Sequence, residues 1–524
     1  MPDLARFFRT RTSRGPAVPG RAGRLQSRSL NNARVPTIVY GAGEAGEAVV
    51  RLADREAEAY VEIVGFIDDD PLKAGSRVLN RQVYGDLSTL ARAVRENGAE
   101  QLLIAIANPS PNTVRDAFEA GHAQRIRVRI VPNLRPLRAE DLRPAMIRPL
   151  QLQDLLPRRS IEVDIETTAA YVSGASVLVT GGAGSIGSEL ARQILAMRPR
   201  RLTILDQHEE GLWAADDELR QLRSSDAEVV VENRLADVRS AEALSQSLKR
   251  AAPKVVFHAA ALKHVPIVEE HPSEGVLTNV IGTRNVLRAC ESAGVDRFVL
   301  ISTDKAVDPV GVMGATKRIA ELLTLATARR TGRPYVAVRF GNVLGSSGSV
   351  IRTFQQQVER GEPLTITDPQ ASRYFMTIGE AVALILEAGA TAEGGEVYIL
   401  DMGEPVLIVD LARDLIRLYG LDPDSVPIKY TGLRSGERLH EALFYDHEAF
   451  FQTAHPGIFR VPVAEQTGLD GLDNLVDRLE VAARARDDHS VRNLLAAAMI
   501  DLGSSGKNQQ HTTAAHAASS SSTS

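Results

Sequence analysis

The sequence predicts an α/β chain built from two doubly wound parallel sheets, and three observations carry that prediction. Two β-rich runs each open into a glycine turn and a helix-period segment, "PTIVYGAGEAGEAVVRLA" from Pro36 and "ASVLVTGGAGSIGSELARQIL" from Ala175. After each opening, short apolar runs alternate with amphipathic stretches, the pattern of a parallel sheet covered on both faces. At 524 residues the chain exceeds what one core supports, so the two openings mark two Rossmann-type domains.

Composition narrows the function. Hydrophobic residues at 44% and charged residues at 24% are those of a globular protein. A net charge of -5 gives no general attraction to nucleic acid, and no nucleic-acid partner is expected. The single cysteine, Cys290, excludes a disulfide framework, argues against a Cys-based zinc site and fits a reducing cytoplasm. No metal is expected. Apolar runs such as "AVALILEAGA" from Ala381 fall short of the ~20 residues a membrane span needs, so no integral membrane segment is expected.

In chain order, residues 1–34 carry eight arginines against one acid, Asp3, a composition that builds no core. They read as a disordered basic arm, suited to peripheral contact at the inner membrane face. Residues 35–131 form the first domain, opened by Gly41, Gly43 and Gly46 in G-x-G-x-x-G spacing. Strands are expected over Val61–Asp70 and Ala99–Ala107. Asp68, Asp69 and Asp70 follow the first of these, either to hold a ribose or as a polar turn, and whether this domain binds a nucleotide stays open. Residues 132–174, rich in Arg and Pro, are the connector, whose "IRPLQLQDLL" is expected to lie against one domain. Residues 175–465 form the second domain, including a small substrate-binding part. Residues 466–502 are read as a C-terminal helical region and 503–524 as a disordered, low-complexity tail.

The second domain carries the stronger signals. Gly181, Gly184 and Gly187 are spaced as T-G-x-x-G-x-x-G, with Ser185 and Ile186 in the same turn, where a backbone approaches a pyrophosphate at a helix N-terminus. Asp206 ends the next strand, 19 residues beyond Gly187. A carboxylate there accepts both ribose hydroxyls and repels a 2′-phosphate, which selects NAD over NADP. Asp237, with Val238, follows a third strand, where such folds hold adenine. Ala259 and Ala260 follow a fourth, small enough for a cofactor to lie against the backbone.

Six blocks in order, "LVTGGAGSIGSEL", "ALKHVPIVEEHP", "ISTDKAVDPVGVMGATKR", "VRFGNVLGSSGSVI", "TDPQASRYFMT" and "GLRSGERLHE", resemble the extended short-chain dehydrogenase/reductases. More narrowly, residues from about 36 to 450 resemble the bacterial polysaccharide-biosynthesis nucleotide-sugar 4,6-dehydratases of the capsule and O-antigen type, in their long form. Long-form members begin with membrane-spanning helices, whose apolar length this sequence lacks.

The resemblance implies a hydro-lyase. In such an enzyme NAD takes hydride from C4 of the hexose, the C5 proton and C6 hydroxyl leave, and the hydride returns to C6. It implies that Asp304 protonates the leaving hydroxyl, Lys305 removes the C5 proton and Thr303 orients the sugar near C4, with Ser302 as the alternative. Lys317 would bind the nicotinamide ribose. Met313, four residues earlier, occupies the place of the usual catalytic tyrosine, and a thioether carries no proton. The resemblance is to the subgroup that has Met here, so the O4 proton goes to Asp304, Thr303 or a water. Lys263 and His264 face either the sugar or solvent. Asn342 is expected to touch substrate, and Arg373 and Arg434 offer planar donors for diphosphate oxygens or for ion pairs. His440 and Glu441 read as ordinary helix residues. The expected activity is UDP-N-acetylglucosamine 4,6-dehydration, in a homo-oligomer. The alternatives are a nucleotide-sugar 4-epimerase or reductase, and a catalytically silent nucleotide-binding regulator.

Overall fold

The structure, a computed structural model, describes residues 34–56, 60–131, 142–156, 165–223, 229–346, 348–445, 448–462 and 471–500. The basic arm and the C-terminal tail lie outside the described residues.

The first domain is a five-stranded sheet. Strands β1 (Val35–Tyr40), β2 (Val61–Ile67), β3 (Gln101–Ile104) and β4 (Arg127–Ile130) run parallel in the order β2-β1-β3-β4. A short antiparallel β5 (Arg148–Pro149), contributed by the connector, closes the edge. Val39, Phe66 and Leu103 fill one face, and Ile38, Ile67 and Leu102 the other. Burial on both faces is why these strands read as near-continuous apolar runs. Helix α1 (Glu44–Arg55) follows β1 across the glycine turn.

The second sheet has nine strands. Its parallel part comprises β6 (Ser176–Thr180), β7 (Arg201–Asp206), β8 (Val230–Leu235), β9 (Val255–His258), β10 (Arg297–Ile301) and β11 (Tyr335–Arg339). The order β8-β7-β6-β9-β10-β11 reverses direction between β6 and β9, so the switch point lies beside the glycine turn that follows β6. Short strands β12 (Asn342–Leu344) and β13 (Phe375–Thr377) pair outside this sheet. Then β14 (Glu396–Leu400), β15 (Phe451–Gln452) and β16 (Ile458–Pro462) extend it as β14-β16-β15, with antiparallel pairing. Helix α2 (Ser185–Ala196) follows β6, and helix α3 (Val312–Thr331) lies against β11.

The connector differs from expectation. Leu150 and Leu155 join the first domain's core, whereas Leu152 and Leu156 join Leu344, Phe354 and Ile408 in the small C-terminal part. The turn Leu152–Leu155 presents successive leucines to opposite sides, so the segment packs against both domains rather than one. Arg115 of the first domain completes the junction with an ion pair to Asp414 at 2.9 Å. The C-terminal helix Leu472–Arg484 is also integral to the catalytic core, burying Leu472, Val476 and Leu479 with residues of α3. Among the described residues, no helix is long and apolar enough to cross a membrane.

Candidate active site

The glycine turn after β6 is a cradle that side chains would fill. Gly181 has φ +69°, and a Cβ there would lie 2.5 Å from the Ala260 nitrogen and 2.6 Å from the Ala259 carbonyl carbon. Close approach of the two loops therefore requires glycine at 181. Gly184 stands at the N-cap of α2, so the first-turn N–H groups of Ser185, Ile186 and Gly187 are presented at the sheet edge. Asp206 ends β7, accepting from the Ala183 N–H at 3.0 Å through Oδ2 and the His208 N–H at 3.0 Å through Oδ1. Asp237 accepts from Arg239 at 2.7 Å, and Arg239 continues to Glu274 at 2.8 Å. Val238 is buried and Ala259 and Ala260 are half-buried. These residues share one edge of the sheet, a set that fits a dinucleotide.

The loop after β10 carries the acid and the amine. Backbone bonds from Ser302 to Val338 at 2.7 Å and from Asp304 to Phe340 at 3.0 Å extend the β10–β11 pairing past the strand ends. Thr303 then caps a single 3₁₀ turn, Asp304–Ala306. Asp304 is 1% exposed. Its Oδ1 accepts from the Thr303 hydroxyl at 2.7 Å and from Lys305 Nζ at 2.9 Å. Its Oδ2 is buried with no hydrogen-bond partner, an orphaned acceptor of the kind functional sites retain. Lys305 Nζ also donates to Asn342 Oδ1 at 3.2 Å.

Helix α3 backs this loop. A Cβ at Gly314 would lie 2.1 Å from the Lys305 carbonyl oxygen, so the helix sits on the loop only because residue 314 has no side chain. Met313 and Lys317 are both buried on α3. Met313 packs into the core and lines the cleft that also holds Lys305 and Glu441. Lys317 Nζ donates to the Ile301 carbonyl at 2.6 Å, and burial lowers its pKa to about 8 despite Glu321 nearby. Ser302 does not face the cleft, because its hydroxyl donates to Glu321 at 2.6 Å.

Of the expected substrate ligands, Asn342 touches Lys305, whereas Lys263 and His264 are exposed in the loop after β9. The space above Gly348, where a Cβ would fall 2.2 Å from His264 Cε1, is filled by the His264 ring. Arg434 is exposed on its loop. Arg373 donates to the carbonyls of Ser372 at 2.7 Å, Arg438 at 2.8 Å and Leu439 at 2.9 Å, which commits most of its fork to holding a loop.

The reading of His440 and Glu441 as helix residues is corrected. The described residues 438–445 are irregular and, with Glu448, strap the loop that carries Asp304 and Lys305. Arg438 donates to the Asp308 carbonyl, Tyr445 OH to the Ala306 carbonyl at 2.9 Å, and Glu448 pairs with Arg339 at 2.9 Å. Glu441, with 5% side-chain exposure, lies 3.8 Å from Lys305 Nζ and 3.8 Å from Arg373 Nε. The spacing 438, 441, 445, 448 imitates a helical face, and only the turn signal "SGE" before it argues otherwise.

In the first domain Asp68 repeats the role of Asp206, accepting from the Ala42 N–H at 2.7 Å, and also pairs with Lys73 at 3.0 Å. Among the described residues, no three His, Cys, Asp or Glu side chains gather as metal ligands.

The family model for polysaccharide biosynthesis proteins matches residues 177–463. The probable polysaccharide biosynthesis protein EpsC of Bacillus subtilis is 38% identical over 442 residues, covering 83% of this chain and 74% of that protein. The capsular polysaccharide biosynthesis protein CapD of Staphylococcus aureus is 38% identical over 426 residues, covering 81% of this chain and 71% of its own. The X-ray structure of Pen from Bacillus thuringiensis matches with a TM-score of 0.52 at 31% identity, covering 56% of this chain and 90% of that one.

Proposed function

Because the chain belongs to the polysaccharide biosynthesis protein family, we propose that it is an NAD-dependent 4,6-dehydratase of UDP-N-acetylglucosamine. The product is the 4-keto-6-deoxy sugar nucleotide for a surface glycan. The observation that carries this reading is the orphaned Asp304 Oδ2, buried beside an amine at the carboxyl edge of the sheet.

The 181–187 turn, Asp206, Asp237, the Ala259–Ala260 backbone and Lys317 would hold NAD, which would accept a hydride from C4 and give it back at C6. The chain's own residues manage the protons. The Thr303 hydroxyl, 2.7 Å from Asp304 Oδ1, receives the O4 proton and relays it to the Asp304 carboxylate, which does the work of the missing phenol. Lys305, as the free amine, takes the C5 proton that the neighbouring ketone has acidified. Asp304 then protonates the C6 hydroxyl, which leaves as water. Lys305 returns its proton to C5, and the protons balance: the O4 proton ends in water and the C5 proton returns to carbon. Asn342 and Asp304 hold the amine in place; the exposed Lys263, His264 and Arg434 are the candidates for the nucleotide sugar, while the Nη atoms of Arg373 hold the loop that carries Glu441.

Incubation with UDP-N-acetylglucosamine followed by mass spectrometry tests the reading. A product lighter by one water supports it. A product of unchanged mass means epimerisation, and an unchanged substrate means no reaction; either outcome overturns the proposal. A second expectation concerns the cradle. Gly181→Ala forces a left-handed backbone and a clash with the Ala260 nitrogen, so NAD retention should weaken at least about tenfold, measured by release of the nucleotide on dilution.

A further inference from the structure

We propose that Glu441 is a positioning residue for the dehydration, holding the Lys305 amine together with Asp304 and favouring the ammonium formed when the C5 proton is taken. This rests on the assignment of Lys305 as the C5 base.

Geometry carries the inference. Lys305 Nζ has three oxygen neighbours: Asp304 Oδ1 at 2.9 Å, Asn342 Oδ1 at 3.2 Å and Glu441 Oε1 at 3.8 Å. Asp304 must change protonation during the reaction, and a carboxamide carries no charge. Glu441 is therefore the one charged partner among these three that takes no proton in the reaction. It is buried, and its carboxylate faces Lys305, Asp304, Arg373 and Arg438, while Tyr374 stands on the far side near Asp304. Burial raises its proton affinity, Lys305 lowers it and Asp304 raises it again. A buried carboxylate this close favours the cation formed when the amine takes the C5 proton. Arg373 steadies Glu441 in turn, because its Nε lies 3.8 Å away while its Nη atoms are bound to backbone carbonyls.

Glu441→Gln keeps shape and hydrogen bonding but removes the charge. An ammonium at Lys305 then loses an anionic neighbour and is less favoured. Dehydration needs the free amine, so the acid limb of the kcat–pH profile should move down by about one pH unit or more. On the plateau above the acid limb, where the amine is free in both proteins, kcat should drop about threefold while KM stays within about twofold, since the amine becomes a weaker base without altering the nucleotide contacts. Glu441→Asp should restore the wild-type limb in part. Deuterium incorporation at C5 in heavy water, read by NMR, should slow in parallel with kcat. An unmoved acid limb in Glu441→Gln overturns the inference whatever happens to kcat, because a purely structural carboxylate alters amount and stability but not the limb. If wild-type enzyme forms no dehydrated product, the parent reading fails first; if it does and the limb is unmoved, only the role of Glu441 fails.

Discussion

Lys305→Ala is expected to lower the rate of water loss by about a thousandfold while leaving C4 oxidation detectable as a transient rise in reduced-nicotinamide absorbance. General-base removal of a carbon-bound proton contributes about 10²–10⁴-fold, and Lys305 Nζ is held for it by Asp304 and Asn342. Asp304→Asn behaves differently under the same scheme. It cannot take the O4 proton, so both the transient and the product should disappear. Because the two residues act on one proton inventory, the double variant should be scarcely slower than the slower single one. Stopped-flow absorbance with mass analysis of the product checks all three. Retention of more than about a tenth of wild-type kcat by Lys305→Ala would remove the amine from the mechanism.

Glu321→Ala is the largest stability effect expected, about 3–5 kcal/mol. Glu321 and Arg339 are both 0% exposed, joined by Nε and Nη2 contacts at 2.9 Å each. Arg318 donates at 3.0 Å, and Ser302, the residue before Thr303, donates at 2.6 Å. Removing the acid leaves Arg339 buried with Glu448 alone, so the melting temperature should fall by roughly 10 °C. Burial by itself would push the Glu321 carboxyl up, but Arg339, with Arg318 and Ser302, holds it at about 2. A folded pKa below the ordinary 4.5 means that the stabilisation is complete above that value and is lost as pH falls toward 2. Melting curves across that acid window should therefore be flatter in Glu321→Ala than in wild type. Parallel curves would show that another group controls acid unfolding.

How much of this was legible follows from what each signal depends on. Strand and turn positions in both sheets are local: buried parallel strands are apolar runs, and a turn that touches another backbone needs glycine. Gly181, Asp206 and the "STDK" loop after β10 were thus readable from spacing alone, and the family resemblance attached roles to them. The connector was half readable. Its leucines announced burial, but which core each one enters depends on the path of a 3₁₀ turn. Glu441 was not readable, because the role proposed for it comes from contact with Lys305, 136 positions earlier (441 − 305), and its neighbours are spaced as on a helix. Arg373 was left between diphosphate and an ion pair for the same reason. A guanidinium in a binding block suggests phosphate, and only the fold shows its donors already taken by carbonyls.

The strap from Arg438 to Glu448 bears on when the protein becomes active during its synthesis. A ribosome delivers the glycine cradle, the acid and the amine early, yet the Ala306 carbonyl meets Tyr445 only after a further 139 residues have emerged. A nascent chain halted before Glu441 would carry the dinucleotide turn but lack that carboxylate beside Lys305, Glu448 beside Arg339 and the C-terminal helix that packs with α3. Prematurely released fragments should therefore lack stability as well as the surroundings of Lys305.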